Sequence, residues 1–64
     1  MRFAVGQAFE RIVDGRQVVI VEIRDDGRAG LIRFVDNGHE QWALWAQFHN
    51  GEQWLPIGMK EAAN

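Results

Sequence analysis

The 64 residues of this chain leave room for one domain, and a domain so short buries only roughly 60% of its unfolded-chain surface. Seven basic against nine acidic side chains give a net charge of −2, which argues against a broadly basic nucleic-acid binder. The chain holds no Cys, Ser, Thr or Tyr, which excludes disulfides, thiolate metal sites and the hydroxyl or thiol nucleophiles of covalent catalysis.

Small domains usually offset marginal stability with disulfides, a structural metal or assembly with copies of themselves. Two histidines do not make the usual four-ligand zinc site, so no metal and no cofactor is expected, and self-association is the device left open. With no hydroxyl to phosphorylate, a phospho-switch is not expected either. The charge is uneven: residues 1–34 carry six arginines against five acids, and residues 35–64 carry one lysine against four. No apolar run approaches the roughly 18 residues of a membrane span, and Met1 to Gly6 lack the apolar stretch of a signal peptide. A cytoplasmic location, with no membrane partner, is the expectation.

In chain order, four pairs punctuate the sequence: Asp14-Gly15, Asp26-Gly27, Asn37-Gly38 and Asn50-Gly51. Such pairs suit tight hairpins because both residues tolerate positive φ. Between them lie segments rich in Val, Ile, Phe and Trp, which favour a pleated, half-buried backbone. The predicted strands are Gln7–Val13, Arg16–Arg24, Arg28–Asp36, His39–Phe48 and Glu52–Ile57, followed by a tail over 58–64. Pro56 fits the last strand if that strand lies at an edge, where a missing N–H is tolerated. The expected fold is all-β: a five-stranded antiparallel meander curled into a small barrel, one domain over residues 1–64.

Alternation along each strand sorts the apolar residues into two faces. A three-residue loop at Asp25-Asp26-Gly27, with two-residue turns elsewhere, gathers the most apolar surface. The first face then holds Ala8, Ile12, Val19, Val21, Ile23, Leu31, Val35, Trp42, Leu44, Ala46, Phe48, Leu55 and Ile57. The second holds Phe9, Val13, Val18, Ile20, Ile32, Phe34, Trp45 and Trp54. A barrel has one interior, so one set needs another cover. Phe3, Val5 and Met59 from the chain ends supply part of it, and a further subunit or a ligand would supply the rest.

The run Gly6-Gln7-x-Phe9, Asp14-Gly15-Arg16-x-Val18-x-Ile20, Gly30-Leu31-Ile32-Arg33-Phe34, Trp42, Phe48 and Trp54-x-Pro56-Ile57 resembles the small SH3-like-barrel, Tudor-like proteins of phages, plasmids and other mobile elements. The resemblance covers about residues 5–57. It implies a five-stranded barrel, often with a short helical turn before the last strand, for which Trp45-Ala46-Gln47-Phe48 is the candidate in place of continued strand. Barrels of this type mostly bind peptides, modified side chains or nucleic acid, and fold alone does not choose among them.

Partner- or ligand-binding residues are expected on the second face: Trp45, Trp54, Phe9, Val18, Ile20, Ile32, Phe34 and Arg11. Trp45 and Trp54, on adjacent strands of the meander, suit a stacked base, a cationic group or a protein anchor. Trp42 points the other way and is expected in the core, with Arg33 opposite it. Arg11, Arg16, Arg24, Arg28 and Arg33 suit phosphates or carboxylates, although wet heads on apolar stems are the commoner explanation. His39 and His49 flank turns, and His49 across from Glu52 reads as a surface contact. Asp25 and Asp26 read as turn residues.

The expected function is that of a non-enzymatic binding or assembly module, partnered by copies of itself (dimer or higher) or by another protein. A nucleic-acid-binding accessory of a mobile element is the alternative, motivated by the arginine-richer half and the tryptophans. A further alternative is an enzyme with its site between subunits. It is similar in principle to the plasmid-encoded dihydrofolate reductases of this fold, but their Val-Gln-Ile-Tyr segment is absent here.

Overall fold

The computed structural model describes residues 2–48 and 52–59. The Asn50-Gly51 turn, the partnership of His49 with Glu52, the Met59 side chain and the tail beyond residue 59 lie outside the described residues. Five antiparallel strands form one sheet: β1 (Gln7–Arg11), β2 (Gln17–Arg24), β3 (Ala29–Phe34), β4 (Glu40–Leu44) and β5 (Trp54–Met59). Their spatial order is β4-β3-β2-β1-β5, and the sheet is not closed. The first four strands follow the expected meander. The fifth does not pair with β4, because the chain leaves the sheet at the helical turn α1 (Trp45–Phe48) and returns along β1.

The first and third hairpins are longer than two-residue turns. Arg11 N–H donates to the Arg16 carbonyl at 2.7 Å and Gly15 N–H returns to that of Arg11, so Ile12 to Gly15 form the loop. Phe34 N–H donates to the His39 carbonyl and Gly38 N–H to that of Phe34, so Val35 to Gly38 form the other. Each pairing thus shifts by two residues from expectation. Side chains alternate with a period of two, so every face assignment on these strands survives the shift.

In the second hairpin the odd residue sits elsewhere than expected. Asp25–Gly27 form a short 3-10 turn, with Asp25 and Asp26 at positive φ, and Arg24 pairs with Ala29. The extra residue is a β-bulge at Val21: Ile20 pairs with Ile32, but Glu22 pairs with Leu31. Beyond the bulge Val18 meets Phe34 and Val19 meets Arg33, as the three-residue loop would have given. Toward the turn the alternation inverts. Ile23 shares a register row with Gly30 and Ala43, and Glu22 and Arg24 move to the opposite face.

The core lies on the second face. Phe9, Val18, Ile20, Ile32, Phe34 and Trp54 are all buried, joined by Ala43 and by Phe48 of α1. The cover comes from the chain itself. Phe3 N–H donates to the Gly27 carbonyl at 2.8 Å and Gly6 N–H to that of Ile20, which straps the N-terminal segment across the sheet. The Phe3 ring then meets Phe9, Trp45 and Phe48 edge-on, with centroids 6.0, 5.1 and 5.2 Å away. Phe48 stacks on Trp54 at 4.3 Å. Two glycines make room: a Cβ at Gly30 would stand 2.8 Å from the Phe3 ring, and one at Gly27 2.7 Å from the Phe3 carbonyl.

Phe3→Ala is expected to cost about 3–5 kcal/mol in urea unfolding, as large aromatic truncations in a core do. Gly30→Ala should also destabilise the fold, by about 1–3 kcal/mol from overpacking. Val13→Ala, at a side chain 84% exposed, should change it little. Equal effects at Phe3 and Val13 would show that the strap is not docked.

Candidate functional site

The core placement reverses inside and outside relative to the sequence expectation. Phe9, Val18, Ile20, Ile32, Phe34 and Trp54 were expected to meet a partner, but they are packed against one another beneath Phe3 and Phe48. Trp45 is half-buried against the same cluster. It does not lie on a strand beside Trp54: the two belong to α1 and β5, and β5 pairs with β1. Of the expected first-face set, only Ala8 and Phe48 are fully buried, and Phe48 is so because it sits on α1.

Arg11 does lie beside the second face, at its rim. Its guanidinium stands 5.3 Å from the Phe34 ring and 5.7 Å from that of Trp54, and it bonds Asp14 at 2.7 Å. Arg16 also lies over the Phe34 ring, at 4.2 Å, and holds Asp36 through two hydrogen bonds of 2.9 and 3.0 Å. The order Asp14, Arg11, Phe34, Arg16, Asp36 closes this end of the core with paired charges. His39 tilts toward the same ring at 6.1 Å.

The exposed apolar surface is the other face of the sheet. Trp42 on β4 is 43% exposed and Leu44 56%. Trp42 pairs with Leu31, and half-buried Val19 and Val21 continue the patch onto β2. The arginine beside Trp42 is Arg24, not Arg33: its guanidinium lies 4.6 Å from the indole centroid, delivered there by the inverted alternation between the bulge and the turn. Arg33 instead faces Glu40, at 2.6 Å. A shallow open hollow of about 290 Å³ runs along β4, lined by Ala29, Trp42, Ala43, Leu44 and Gln47.

The two sheet edges differ. The bonds from Phe34 N–H to the His39 carbonyl and from Trp45 N–H to the Arg28 carbonyl bracket the β3–β4 ladder. By antiparallel alternation, Gln41 and Ala43 then turn their backbone groups toward β3, while Glu40 and Trp42 turn theirs to the open side. Leu44 N–H, on that open side, is met by the Gln47 side chain at 3.5 Å. On β5, Ile12 N–H donates to the Gln53 carbonyl at 2.9 Å, which directs Leu55 toward β1 and Trp54 and Pro56 outward. The missing N–H of Pro56 therefore falls on the open side, the edge position the sequence had pointed to. Proline blocks strand addition there. β4 holds no proline, and among the described residues no strand covers its outer edge.

Among the described residues, four arginines stand within 3.7 Å of a carboxylate: Arg11 with Asp14, Arg16 with Asp36, Arg24 with Glu22 and Arg33 with Glu40. Basic charge on these surfaces is thus interleaved with acid. Among the described residues no group of three or more His, Asp or Glu is placed to hold a metal ion. No helix among them is long and apolar enough to cross a membrane.

The side chain of Arg11 and the backbone N–H of Arg16 hold Asp14 at about 2, below its ordinary 3.8. The folded chain favours the carboxylate, so this stabilisation is complete above the ordinary value and is lost as pH falls toward 2. Arg16 lowers Asp36 in the same sense. Urea midpoints are expected to fall between about pH 4 and pH 2, and Asp14→Asn should flatten that decline while lowering stability at neutral pH. An unchanged acid limb in Asp14→Asn would place the pH dependence elsewhere.

The comparisons with known proteins leave the chain to its own geometry: no protein-family model, curated protein or solved structure matches it.

Proposed function

We propose that this chain is a non-enzymatic binding and assembly module that engages an extended strand or an apolar partner surface along β4. The observation that carries this reading is the coincidence of an unguarded strand edge with the exposed Trp42–Leu44 surface. Edge backbone groups give affinity to an added strand, and side-chain hollows beside the edge give selectivity. Tryptophan is among the residue types that dominate binding surfaces, and Arg24 over its ring holds it in place.

The fold is read here as an SH3-like barrel left open between β4 and β5. The return of β5 to β1 and the helical turn ahead of it support that reading. The chemistry of the surface favours a protein partner over nucleic acid, because the acids paired to Arg11, Arg16, Arg24 and Arg33 would stand close to any bound phosphate. An enzyme is not favoured, since the described residues gather no acid–base or metal-binding group and the chain lacks hydroxyl and thiol nucleophiles.

Light scattering combined with titration by the dye 8-anilinonaphthalene-1-sulfonate tests the reading. The native chain is expected to associate or to bind the dye, and the double variant Trp42→Lys, Leu44→Lys to do neither while still unfolding cooperatively. A monomer that ignores the dye, or a double variant that behaves as the native chain does, would remove β4 as the binding surface.

A further inference from the structure

We infer that the occupant of the β4 edge is a second copy of this chain, paired antiparallel through β4 about a two-fold axis at Trp42. This rests on the proposed role of β4 and names its partner.

The hydrogen-bonding pattern restricts the register. On β4 only Glu40, Trp42 and Leu44 turn backbone groups outward, so they must be the bonded positions of any strand added there, Leu44 N–H exchanging its long 3.5 Å bond to Gln47 for the new strand. Antiparallel self-pairing uses all three when Trp42 meets Trp42 of the second copy and Glu40 meets its Leu44. Pairing displaced by two residues in either direction leaves one of the three unpaired. A two-fold interface must be self-complementary, and this five-residue strand satisfies that requirement in one register.

The side chains agree with the register. The two tryptophans become a cross-strand aromatic pair, a favourable combination in sheets. The Leu31–Trp42 patches of the two copies merge into one apolar stripe across the seam. Charge is complementary as well. Glu40 of the second copy enters the row of Leu44, Ala29 and Arg24, and Arg24 already reaches over Trp42 toward the seam. The two Glu40 residues stay four positions apart along the strands, about 14 Å at the usual strand rise. That exceeds the roughly 8 Å screening length at physiological salt, so they do not repel strongly.

The other edge offers no competing seam, because Pro56 interrupts it on its open side. The seam is short, so the dimer is weak and forms with rising concentration.

The experiment is sedimentation equilibrium from micromolar to millimolar protein, on the native chain and on a synthetic chain carrying N-methyl-tryptophan at position 42. The N-methyl group deletes the outward N–H, which β3 does not use, and leaves the indole in place. The native mass is expected to rise from 7.4 kDa toward twice that value, and the N-methylated chain to remain a monomer with an unchanged urea midpoint. As a register check, Glu40→Cys and Leu44→Cys chains mixed under mild oxidation should give the mixed disulfide dimer in preference to either homodimer. A native dimer that the N-methyl group does not weaken overturns the edge pairing, while dye binding at Trp42 would leave β4 as a binding surface. A native monomer that still binds the dye overturns the second copy as occupant, and one that does not bind it removes both.

Discussion

The structure depends on the docking of Phe3 into the concave side of an open sheet. A single five-stranded sheet has two faces and no second layer of strands to bury either. Here one face becomes an interior because the N-terminal strap lays an aromatic ring over Gly30, the helical turn α1 brings Phe48 beside it, and Trp54 stacks beneath. The cover is almost wholly aromatic. That suits a chain of this length, since aromatic rings remove the most apolar area from water per residue ordered.

Because the cover is local, it decides which surface remains. The rings of Phe3, Phe48 and Trp54 lie on one side, so the other keeps Trp42 and Leu44 facing solvent beside half-buried Leu31. The same economy leaves the sheet with two ends. At one, proline and the bulge at Ile57 disrupt the edge; at the other, β4 ends in α1 and pairs with no further strand among the described residues. The proposed function therefore follows from how the core is closed.

Much of the fold was legible from strand patterning. The five strands, most of each apolar face (Ile23 and Phe48 excepted), the edge position of Pro56 and the pairing of Val18 with Phe34 follow from alternation and turn residues. Loop length was not legible, because Asp-Gly and Asn-Gly suit longer loops as well as two-residue turns, yet errors of two residues leave faces untouched. What alternation could not supply was the choice of interior. Charge should have supplied it, since ionised groups avoid a core. The bulge at Val21 hid that signal. Under strict alternation Glu22 and Arg24 fall on the second face beside Arg11, while Glu10, Arg33 and Glu40 fall on the first, so neither face looks dry. With the bulge in place, Glu22 and Arg24 join the outer face, and Arg11 and Arg16 border the core from its rim. The contact of Phe3 with Gly30, far along the chain, is likewise a tertiary matter, and only the glycines at 27 and 30 hint at it.

The most direct test is the nuclear Overhauser pattern of Phe3. Strong contacts are expected from its ring to the Gly30 α-protons, to Phe9 and to Phe48, with a Gly30 α-proton displaced upfield by the ring current. A Phe3 ring with solvent-like shifts and no contact to Gly30, alongside contacts from Ile20 and Ile32 methyls to a differently labelled second chain, would contradict the account: the second face would then be the interface and not the interior.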